Sequence, residues 1–251
     1  MESSLKSVLV TGAASGLGRE VALGLGGQGR HVFCADRDAE ALEDTRIAIE
    51  AAGSTADSIV TDLADPDSIT AAFESVGRSS RVLDGLVTCA GITSTTGILD
   101  ATVEEWNRVI DINLRGTFLC AQQALRIMIP NGFGRIVTVG SDVGKRGGGR
   151  LAKAAYGASK GGVIILTRSL AREIALMKLD IRINCVCPGP MRTSMHDGIS
   201  DENVQMVESS VPVGRFGHPR EVAAGILFLL SDAASFVYGE TLNVDGGVVM
   251  D

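Results

Sequence analysis

Tyr156 and Lys160 stand four residues apart in a segment of helical character, and this spacing is the first sign of chemistry in the chain. On a helix, side chains i and i+4 share one face, so the phenol and the ammonium group lie together. A free phenol has a pKa near ~10, and a fixed cation beside it lowers that pKa. The pair therefore predicts a proton donor and acceptor, although the spacing alone is common on helices and needs support from other residues.

A glycine-rich turn follows the first β-branched run of the chain, Val8–Val10. Gly12, Gly16 and Gly18 have GxxxGxG spacing, and the helical pattern Glu20–Leu25 comes directly after them. Gly12 permits a tight turn, while Gly16 and Gly18 let the backbone approach a pyrophosphate at the start of the helix, where free amides favour negative charge. The order of strand, glycine turn and helix predicts a dinucleotide site.

Five motifs occur in order along the chain. They are Thr11-Gly12 with Gly16 and Gly18, then Asn113, Ser141, Tyr156 with Lys160, and Pro188-Gly189. Over essentially the whole length, this set resembles that of the short-chain dehydrogenase/reductase family. The resemblance implies a nicotinamide-dependent interconversion of an alcohol and a carbonyl, here a secondary alcohol and a ketone. It also implies four catalytic residues, Asn113, Ser141, Tyr156 and Lys160.

The resemblance gives each of these four side chains a role. Tyr156 is the acid in reduction and the base in oxidation, and Lys160 lowers its pKa and binds the nicotinamide ribose. Ser141 donates a hydrogen bond to the substrate oxygen as charge develops there. Asn113 lies inside a predicted long helix, where asparagine is unfavourable, so a satisfied polar role such as holding a relay water is expected. An exposed helix residue is the alternative interpretation of Asn113.

Two features depart from the family pattern. Thr88-Cys89 stands where the family usually has two asparagines, so the support of the sheet centre is altered. The interval from Ser141 to Tyr156 is slightly longer than expected and contains three consecutive glycines, 147–149. This composition suggests a more mobile loop beside the site.

Asp36 ends the second predicted strand, roughly 20 residues after the glycine turn. An acidic side chain there binds the adenosine ribose hydroxyls and repels a 2′-phosphate, which favours NAD over NADP. Arg37 complicates this preference, because an arginine can meet a 2′-phosphate. Ser15 stands where family members that use NADP often carry Arg or Lys, and so supports NAD. A role of Asp36 in capping the next turn is the alternative.

Further cofactor contacts follow from the resemblance. Asp62-Leu63 is similar to the adenine-contacting pair of the family, and Ala90-Gly91 leaves room for the middle of the cofactor. The hydroxyl of Thr193, beside Pro188-Gly189, holds the carboxamide. The full predicted cofactor set is Gly12, Ser15, Gly16, Leu17, Gly18, Asp36, Arg37, Asp62, Leu63, Ala90, Gly91, Tyr156, Lys160, Pro188, Gly189 and Thr193.

Composition indicates one globular domain. With 251 residues and 45% hydrophobic content, the chain can bury one substantial core, so residues 1–251 are predicted to form a single Rossmann-like domain. The longest apolar runs, such as Gly225–Leu230, are far shorter than a membrane span, and Met1–Lys6 lacks the apolar core of a signal peptide. We therefore expect a cytoplasmic protein with no membrane contact. A net charge of -7 argues against nucleic acid as a partner.

The cysteines and histidines show no metal-ligand spacing. The five cysteines lie in apolar segments without a CxxC motif, which predicts buried, reduced thiols. The three histidines are far apart, so neither a structural metal nor a zinc alcohol dehydrogenase is expected.

Short β-rich runs alternate with longer helical patterns, which is typical of a parallel sheet covered on both faces. We therefore predict an α/β, doubly wound Rossmann-like fold with a seven-stranded, mainly parallel sheet flanked by helices on both faces. Segment 191–211 lacks strong periodicity and follows a strand's carboxyl end, so it is a candidate substrate lid. The predicted strands are Ser7–Val10, His31–Ala35, Asp57–Val60, Gly85–Cys89, Arg135–Val139, Ile181–Val186 and Thr241–Val244.

Two long predicted helices, about Thr102–Ile129 and Ala154–Met177, bear on assembly. In the resembled family such helices pack against their copies in partner subunits and build a tetramer. Closed two-fold symmetry is also the commonest arrangement of soluble oligomers. We therefore expect a homotetramer.

The chain does not identify its alcohol or ketone substrate. Arg150 follows the glycine triplet, and a guanidinium can grip a substrate carboxylate through two hydrogen bonds. The pocket candidates mix apolar and basic character and are Ile92, Val143, Arg150, Met191 and His196.

Two other functions stay open. An NADPH-dependent 3-oxoacyl carrier-protein reductase needs a basic surface for its acidic partner; Pro130–Phe133 carries no charge where such reductases are often basic, although Arg172 remains available. A non-catalytic NAD-binding regulator would show a broken catalytic set, whereas all four positions are present here.

Overall fold

The computed structural model describes residues 5–148, 152–192 and 201–250, apart from the side chains of residues 201 and 203. Its strands are β1 (Ser7–Thr11), β2 (His31–Asp36), β3 (Ala56–Val60), β4 (Gly85–Thr88), β5 (Phe133–Val139), β6 (Asp180–Pro188) and β7 (Thr241–Val244). Within these described ranges the seven strands form one sheet, in the order β3-β2-β1-β4-β5-β6-β7, and every pairing is parallel. The predicted fold class is therefore confirmed.

The helices follow the strands in alternation, as the sequence pattern predicts. They are α1 (Gly16–Gly27), α2 (Ala39–Ala51), α3 (Pro66–Arg78), α4 (Val103–Ile110), α5 (Gly116–Asn131), α6 (Asp142–Arg146), α7 (Ala154–Ala175), α8 (Asp201–Ser210) and α9 (Pro219–Leu230). In the part of the chain that the structure describes, none of them is long and apolar enough to cross a bilayer.

Strand bounds differ from the predicted ones by up to two residues. The two-residue differences are at the start of β5 and at the end of β6, which continues through Cys187 and Pro188 because these residues pair with Asn243 and Val244 of β7. This extension depends on a partner strand more than fifty residues away, which local composition does not show.

Side chains of the sheet alternate between two apolar layers. Val8 and Val10 of β1 pack in one cluster with side chains of α1 and α9, among them Ile226 of α9. Leu9 points to the opposite face and packs with α3 and α5, represented by Leu125. Because a strand's side chains alternate between faces, a strand buried on both sides must be apolar throughout, as β1 is.

The predicted helix Thr102–Ile129 is interrupted by a π-helical turn at Asp111–Arg115, between α4 and α5. Thr102 caps its start, with Oγ1 accepting the Glu105 amide at 3.2 Å. No full capping box forms here, because the Glu105 carboxylate accepts the Ser94 hydroxyl at 2.8 Å instead of the cap amide. Single-turn π segments inside helices are frequently found at functional sites.

The order of connection reverses at β1, which pairs with β2 on one side and β4 on the other. Ligands of doubly wound folds bind beside the carboxyl ends of the strands at such a switch point. Because all strands are parallel, one edge of the sheet receives the glycine turn after β1, Asp36 at the end of β2, Ser141 after β5 and Pro188 at the end of β6.

Candidate active site

A cavity of about 850 Å³ opens at this carboxyl edge of the sheet. Its volume is in the range of small-molecule and cofactor sites. The cavity extends to α8, whose Met206, Val207 and Ser210 line it. Helix α8 belongs to the segment that is predicted to be a substrate lid. The predicted site residues that line the cavity are Gly12, Ser15, Gly16, Leu17, Gly18, Asp36, Arg37, Asp62, Leu63, Ala90, Gly91, Ile92, Ser141, Val143, Tyr156, Lys160, Pro188, Gly189 and Met191.

Three further predicted site residues, Arg150, Thr193 and His196, lie outside the described residues.

The glycine turn after β1 is held by close backbone contacts. Gly12 has a φ of +73°, and a Cβ there would lie 2.8 Å from the Ala90 backbone. A Cβ on Gly18 would lie 2.1 Å from the Gly12 carbonyl oxygen, so packing inside the turn requires glycine at this position. The predicted approach of a pyrophosphate to Gly18 stays a prediction. Ser15 begins α1 without a side-chain cap, which leaves the first-turn amides available to an anionic group in the cavity.

The Asp36 carboxylate ties the end of β2 to the glycine turn. Its Oδ2 accepts the Ala14 amide and its Oδ1 accepts the Asp38 amide, both at 3.2 Å. The bond to the Asp38 amide is the turn contact of the alternative interpretation, whereas the helix that follows is capped by Asp38, whose Oδ1 accepts the Ala41 amide at 3.1 Å. Asp36 and the exposed Arg37 both line the cavity. The structure therefore places an acidic and a basic side chain together at this end.

Ser141 begins α6 directly beyond β5. Its Oγ accepts the Val143 amide at 3.2 Å and donates its proton to Asp142 Oδ1 at 3.0 Å. Tyr156 lines the same cavity, and hydrogen bonding with Ser141 acts to lower the pKa of its phenol. The two hydroxyl groups thus face the cavity as a pair.

Tyr156 and Lys160 share one face of α7, with the ammonium nitrogen 5.9 Å from the centre of the phenol ring. The expectation that Lys160 lowers the pKa of Tyr156 is wrong for this structure. Burial raises the pKa of Tyr156 to about 12, the hydrogen bond with Ser141 opposes this rise, and the charge of Asp142 adds to it. The Lys160 ammonium donates a hydrogen bond to the Val139 carbonyl at 2.8 Å.

Lys160 is itself buried, with 4% of its surface exposed. Burial lowers its pKa, and the neighbouring thiols Cys185, Cys89 and Cys187 oppose that change. The ammonium group therefore stands where an additional polar or anionic partner in the cavity would stabilise its charge.

Asn113 lies in the π-helical turn and is fully buried, so the alternative of an exposed helix residue is wrong. Its Oδ1 accepts the Ile92 amide at 2.8 Å, and its Nδ2 donates to the Ile92 carbonyl at 2.9 Å and to Ser159 Oγ at 3.0 Å. These bonds hold the segment after β4 against α7. The side chain thus fixes the wall of the cavity beside Gly91.

All five cysteines are free thiols. Four are buried as predicted, whereas Cys89 is half-buried and lines the cavity beside Ala90. Burial raises the pKa of Cys89 to about 12. Among the described residues, no three His, Cys, Asp or Glu side chains cluster as metal ligands would.

Sequence reasoning missed Asp142, which lines the cavity together with Arg146. Arg146 Nη2 lies 2.8 Å from Asp142 Oδ2, and the carboxylate is 5% exposed. Their opposite charges, at i and i+4 directly after Ser141, were the available signal.

Comparison with known proteins agrees with this geometry. Residues 12–249 match the family model described as enoyl-(acyl carrier protein) reductase. The 3-oxoacyl-[acyl-carrier-protein] reductase of Escherichia coli (strain K12) is 36% identical over 98% of both chains.

Two solved structures share the fold at high similarity. The 3-oxoacyl-[acyl-carrier protein] reductase from Brucella melitensis is 32% identical, with a TM-score of 0.91, over 98% of this chain and 92% of that one. A variant of the actinorhodin polyketide ketoreductase, solved with NADPH, is 35% identical with a TM-score of 0.90 over 97% of both chains. The chain therefore belongs to the short-chain dehydrogenase/reductase family of oxidoreductases.

Proposed function

We propose that the protein is an NAD(H)-dependent oxidoreductase that interconverts a secondary alcohol and a ketone, with Tyr156 as the acid and base. The observation that carries this proposal is that the Ser141 and Tyr156 side chains line one cavity together with the glycine turn. Two hydroxyl donors aimed at one place suit a carbonyl oxygen that gains negative charge.

The cavity offers groups suited to each part of a nicotinamide dinucleotide. The uncapped first turn of α1 would hold the pyrophosphate, and Asp36 would bind a ribose. Pro188-Gly189 would contact the nicotinamide end. When bound, the nicotinamide supplies hydride to the substrate carbon or accepts it. Tyr156 then gives its proton to the substrate oxygen, and Ser141 stabilises that oxygen by a hydrogen bond.

The raised pKa of Tyr156 bears on the direction of the reaction. With a pKa of about 12, the phenol keeps its proton at neutral pH, which is the form required for reduction of a ketone. The oxidation of an alcohol needs the phenolate, whose fraction rises with pH. The site is therefore poised to act as an acid.

The decisive experiment is a panel of ketones and alcohols assayed with NADH, NAD, NADPH and NADP. Turnover that needs Tyr156 supports the proposal. Tight NADH binding without turnover of any member would favour the non-catalytic alternative instead.

Asp36 supports the preference for NAD. Its carboxylate is fixed by two backbone amides at the cavity wall, where it can accept both ribose hydroxyls and repel a 2′-phosphate. Arg37 lies next to it and opposes this preference. The ketoreductase solved with NADPH shows that a related protein accepts the phosphorylated cofactor.

Replacing Asp36 with alanine is expected to narrow the gap in kcat/KM between NAD and NADP by about tenfold or more, since Arg37 is then free to meet the 2′-phosphate. Steady-state kinetics with both cofactors measures the change. Asp38→Ala, which removes a neighbouring carboxylate that caps α2, is the matched control. Preference of the unaltered protein for NADP would show that Arg37 controls the site.

A second candidate is reduction of a 3-oxoacyl group on a carrier protein, favoured by the names of the relatives at 36% and 32% identity. The exposed Arg172 on α7 offers one basic contact to an acidic partner. Carrier-bound ketoacyl substrate and simple ketones, compared at equal concentration, separate the two functions.

We also propose a homotetramer. Apolar side chains are exposed on three helices, with Trp106 on α4 41% exposed, Phe118 on α5 38% exposed and Ile165 on α7 58% exposed. Exposed apolar groups of this kind mark association surfaces.

Light scattering at micromolar concentration is expected to give four times the monomer mass of 26.1 kDa. Ile165→Glu should lower the measured mass, because it places a charge on the proposed contact surface. Ile47→Glu, on the exposed side of α2, should leave it unchanged. A monomeric unaltered protein would contradict the proposal.

A further inference from the structure

An arginine and an aspartate stand in the cavity wall directly after Ser141, and the reaction proposed above gives neither of them a role. Asp142 and Arg146 both line the cavity, at the side where Ser141 follows β5. Lys160 also lines this side, so two cations and one carboxylate face the reacting end of the cavity. The balance of charge there favours a substrate that carries a negative group.

The guanidinium of Arg146 is held in one orientation by Asp142. Asp142 Oδ2 accepts Arg146 Nε at 2.9 Å and lies 2.8 Å from Nη2. The carboxylate is 5% exposed, whereas 47% of the Arg146 side chain is exposed. Asp142 thus occupies the edge of the planar guanidinium that Nε and Nη2 form. The edge that carries Nη1 is turned away from it, and such an edge can bind a second carboxylate through two parallel hydrogen bonds.

The place of this pair is set by close packing of α6 on α7. A Cβ at Gly144 would lie 2.7 Å from the backbone carbonyl carbon of Lys160, so only glycine allows this approach. Because α6 begins directly after Ser141, the packing holds its single turn, and Arg146 at the end of that turn, against the cavity.

Arg146 is also close to the group that would bind the substrate oxygen. Ser141 Oγ donates to Asp142 Oδ1 at 3.0 Å, and the other oxygen of that carboxylate accepts Arg146 Nε. Two hydrogen bonds and one carboxylate group therefore join Ser141 Oγ to Arg146 Nε, which places these atoms at most about 8 Å apart. A substrate whose carbonyl oxygen is bound by Ser141 can reach the guanidinium with an anionic group a few carbon atoms away.

The cavity wall around this end is largely apolar. Its apolar lining residues include Ile92, Val143, Met191, Met206 and Val207. A charged group buried against such side chains needs a partner of opposite charge, because its desolvation is costly. The lining therefore suits a short carbon chain with one anionic end placed at a cation.

We propose that Arg146 is a specificity-determining residue that binds a carboxylate of the substrate, and that the protein reduces small oxo acids to hydroxy acids. Asp142 orients the guanidinium from its other edge. The inference rests on the proposed function: hydride passes from the nicotinamide to the carbonyl carbon and a proton passes from Tyr156 to the carbonyl oxygen, while the carboxylate is unchanged. Arg150, the candidate chosen from sequence for this role, lies outside the described residues.

The test compares 4-oxopentanoate with its methyl ester, which keeps the ketone and removes the charge. The quantity measured is the ratio of kcat/KM for the acid to kcat/KM for the ester. Arg146→Gln is expected to lower this ratio about tenfold, the lower end for a lost charge-assisted hydrogen bond, because the side chain is half-exposed. Arg46→Gln is the matched control, since it removes the arginine of another i, i+4 pair, with Glu50 on α2, and should leave the ratio unchanged.

Asp142→Asn should change the ratio in the opposite direction. It removes a negative charge close to the proposed carboxylate, so the acid should be favoured several-fold more than in the unaltered protein. The double variant with Asp142→Asn and Arg146→Gln leaves no buried carboxylate without its counter-ion, so it tests Arg146 even where Arg146→Gln alone does not fold. Its ratio should fall about tenfold or more below that of Asp142→Asn.

An unchanged ratio in both variants that lack Arg146 would overturn the proposal. Equal losses with acid and ester would overturn it as well, since the side chain would then serve the fold alone. Failure of the proposed function appears separately, as absence of turnover with any ketone. Binding of pentanoate, which has the carboxylate but no ketone, to the protein with NADH still reports on Arg146 in that case. Calorimetry should show this binding weakened about tenfold in Arg146→Gln and unchanged in Arg46→Gln.

Discussion

Replacing Tyr156 with phenylalanine is expected to lower kcat for ketone reduction by about 10²-fold or more and to leave the Kd for NADH nearly unchanged. The aromatic ring stays in place on α7, so the wall of the cavity is preserved. Only the hydroxyl is lost. A loss confined to kcat is the result that a proton donor predicts, whereas a packing role would change cofactor affinity too.

Stopped-flow turnover and fluorescence titration with NADH measure the two quantities. Tyr238→Phe is the matched control: it removes the other phenol of the chain, whose hydroxyl donates to the Ala171 carbonyl at 3.0 Å. Full activity in Tyr156→Phe would show that another group supplies the proton. Equal losses in both variants would point to general damage from removing a tyrosine hydroxyl.

The sheet and the glycine turn could be predicted from sequence because their signals are local. An apolar run such as Val8–Val10 must be buried on both faces, and glycines directly after it permit a turn that other residues would obstruct. The same reasoning places Asp36 at the cavity, since the end of the second strand must lie at the same edge of a parallel sheet.

The surroundings of Asn113 could not be predicted, because they depend on residues distant in sequence. Its side chain bonds the Ile92 backbone, 21 residues away, and Ser159, 46 residues away. The π-helical turn that carries it contains no proline or glycine within Asp111–Arg115 to indicate a break. These bonds hold the cavity wall, and the predicted role of Asn113 in holding a relay water stays a prediction.

The spacing of Tyr156 and Lys160 predicted a shared helix face but not the direction of the ammonium group. That direction is set by the Val139 carbonyl at the end of β5, a contact between distant parts of the chain. The rise in the Tyr156 pKa comes first from the burial of the phenol, and the charge of Asp142 adds to it. Spacing rules give proximity, whereas electrostatics requires the full environment.

Replacing Lys160 with methionine is expected to lower kcat about 10²-fold and to weaken NADH binding about tenfold, while raising the melting temperature. The side chain keeps its length and apolar stem, so packing changes little. The loss of function follows from the two proposed roles of the ammonium group, on the cofactor ribose and beside Tyr156. Turnover, NADH titration and calorimetry measure the three effects.

The gain in stability follows from comparing two opposed terms. The hydrogen bond to Val139 stabilises the fold by about 1.5 to 3 kcal/mol as a charge-assisted bond, whereas removing an ammonium group from water costs several kcal/mol. The direction of the Lys160 pKa agrees, because burial lowers it in the folded state.

A folded-state pKa below the unfolded one means that the charge opposes folding at neutral pH, and that this penalty is relieved as pH rises through the lowered value towards the unfolded value of about 10.4. A net gain of about 1 kcal/mol would raise the melting temperature by about 2 to 4 °C in a domain of this size. The difference between Lys160→Met and the unaltered protein should therefore shrink at high pH. A melting temperature that falls instead would show that Lys160 serves chiefly to hold the end of β5.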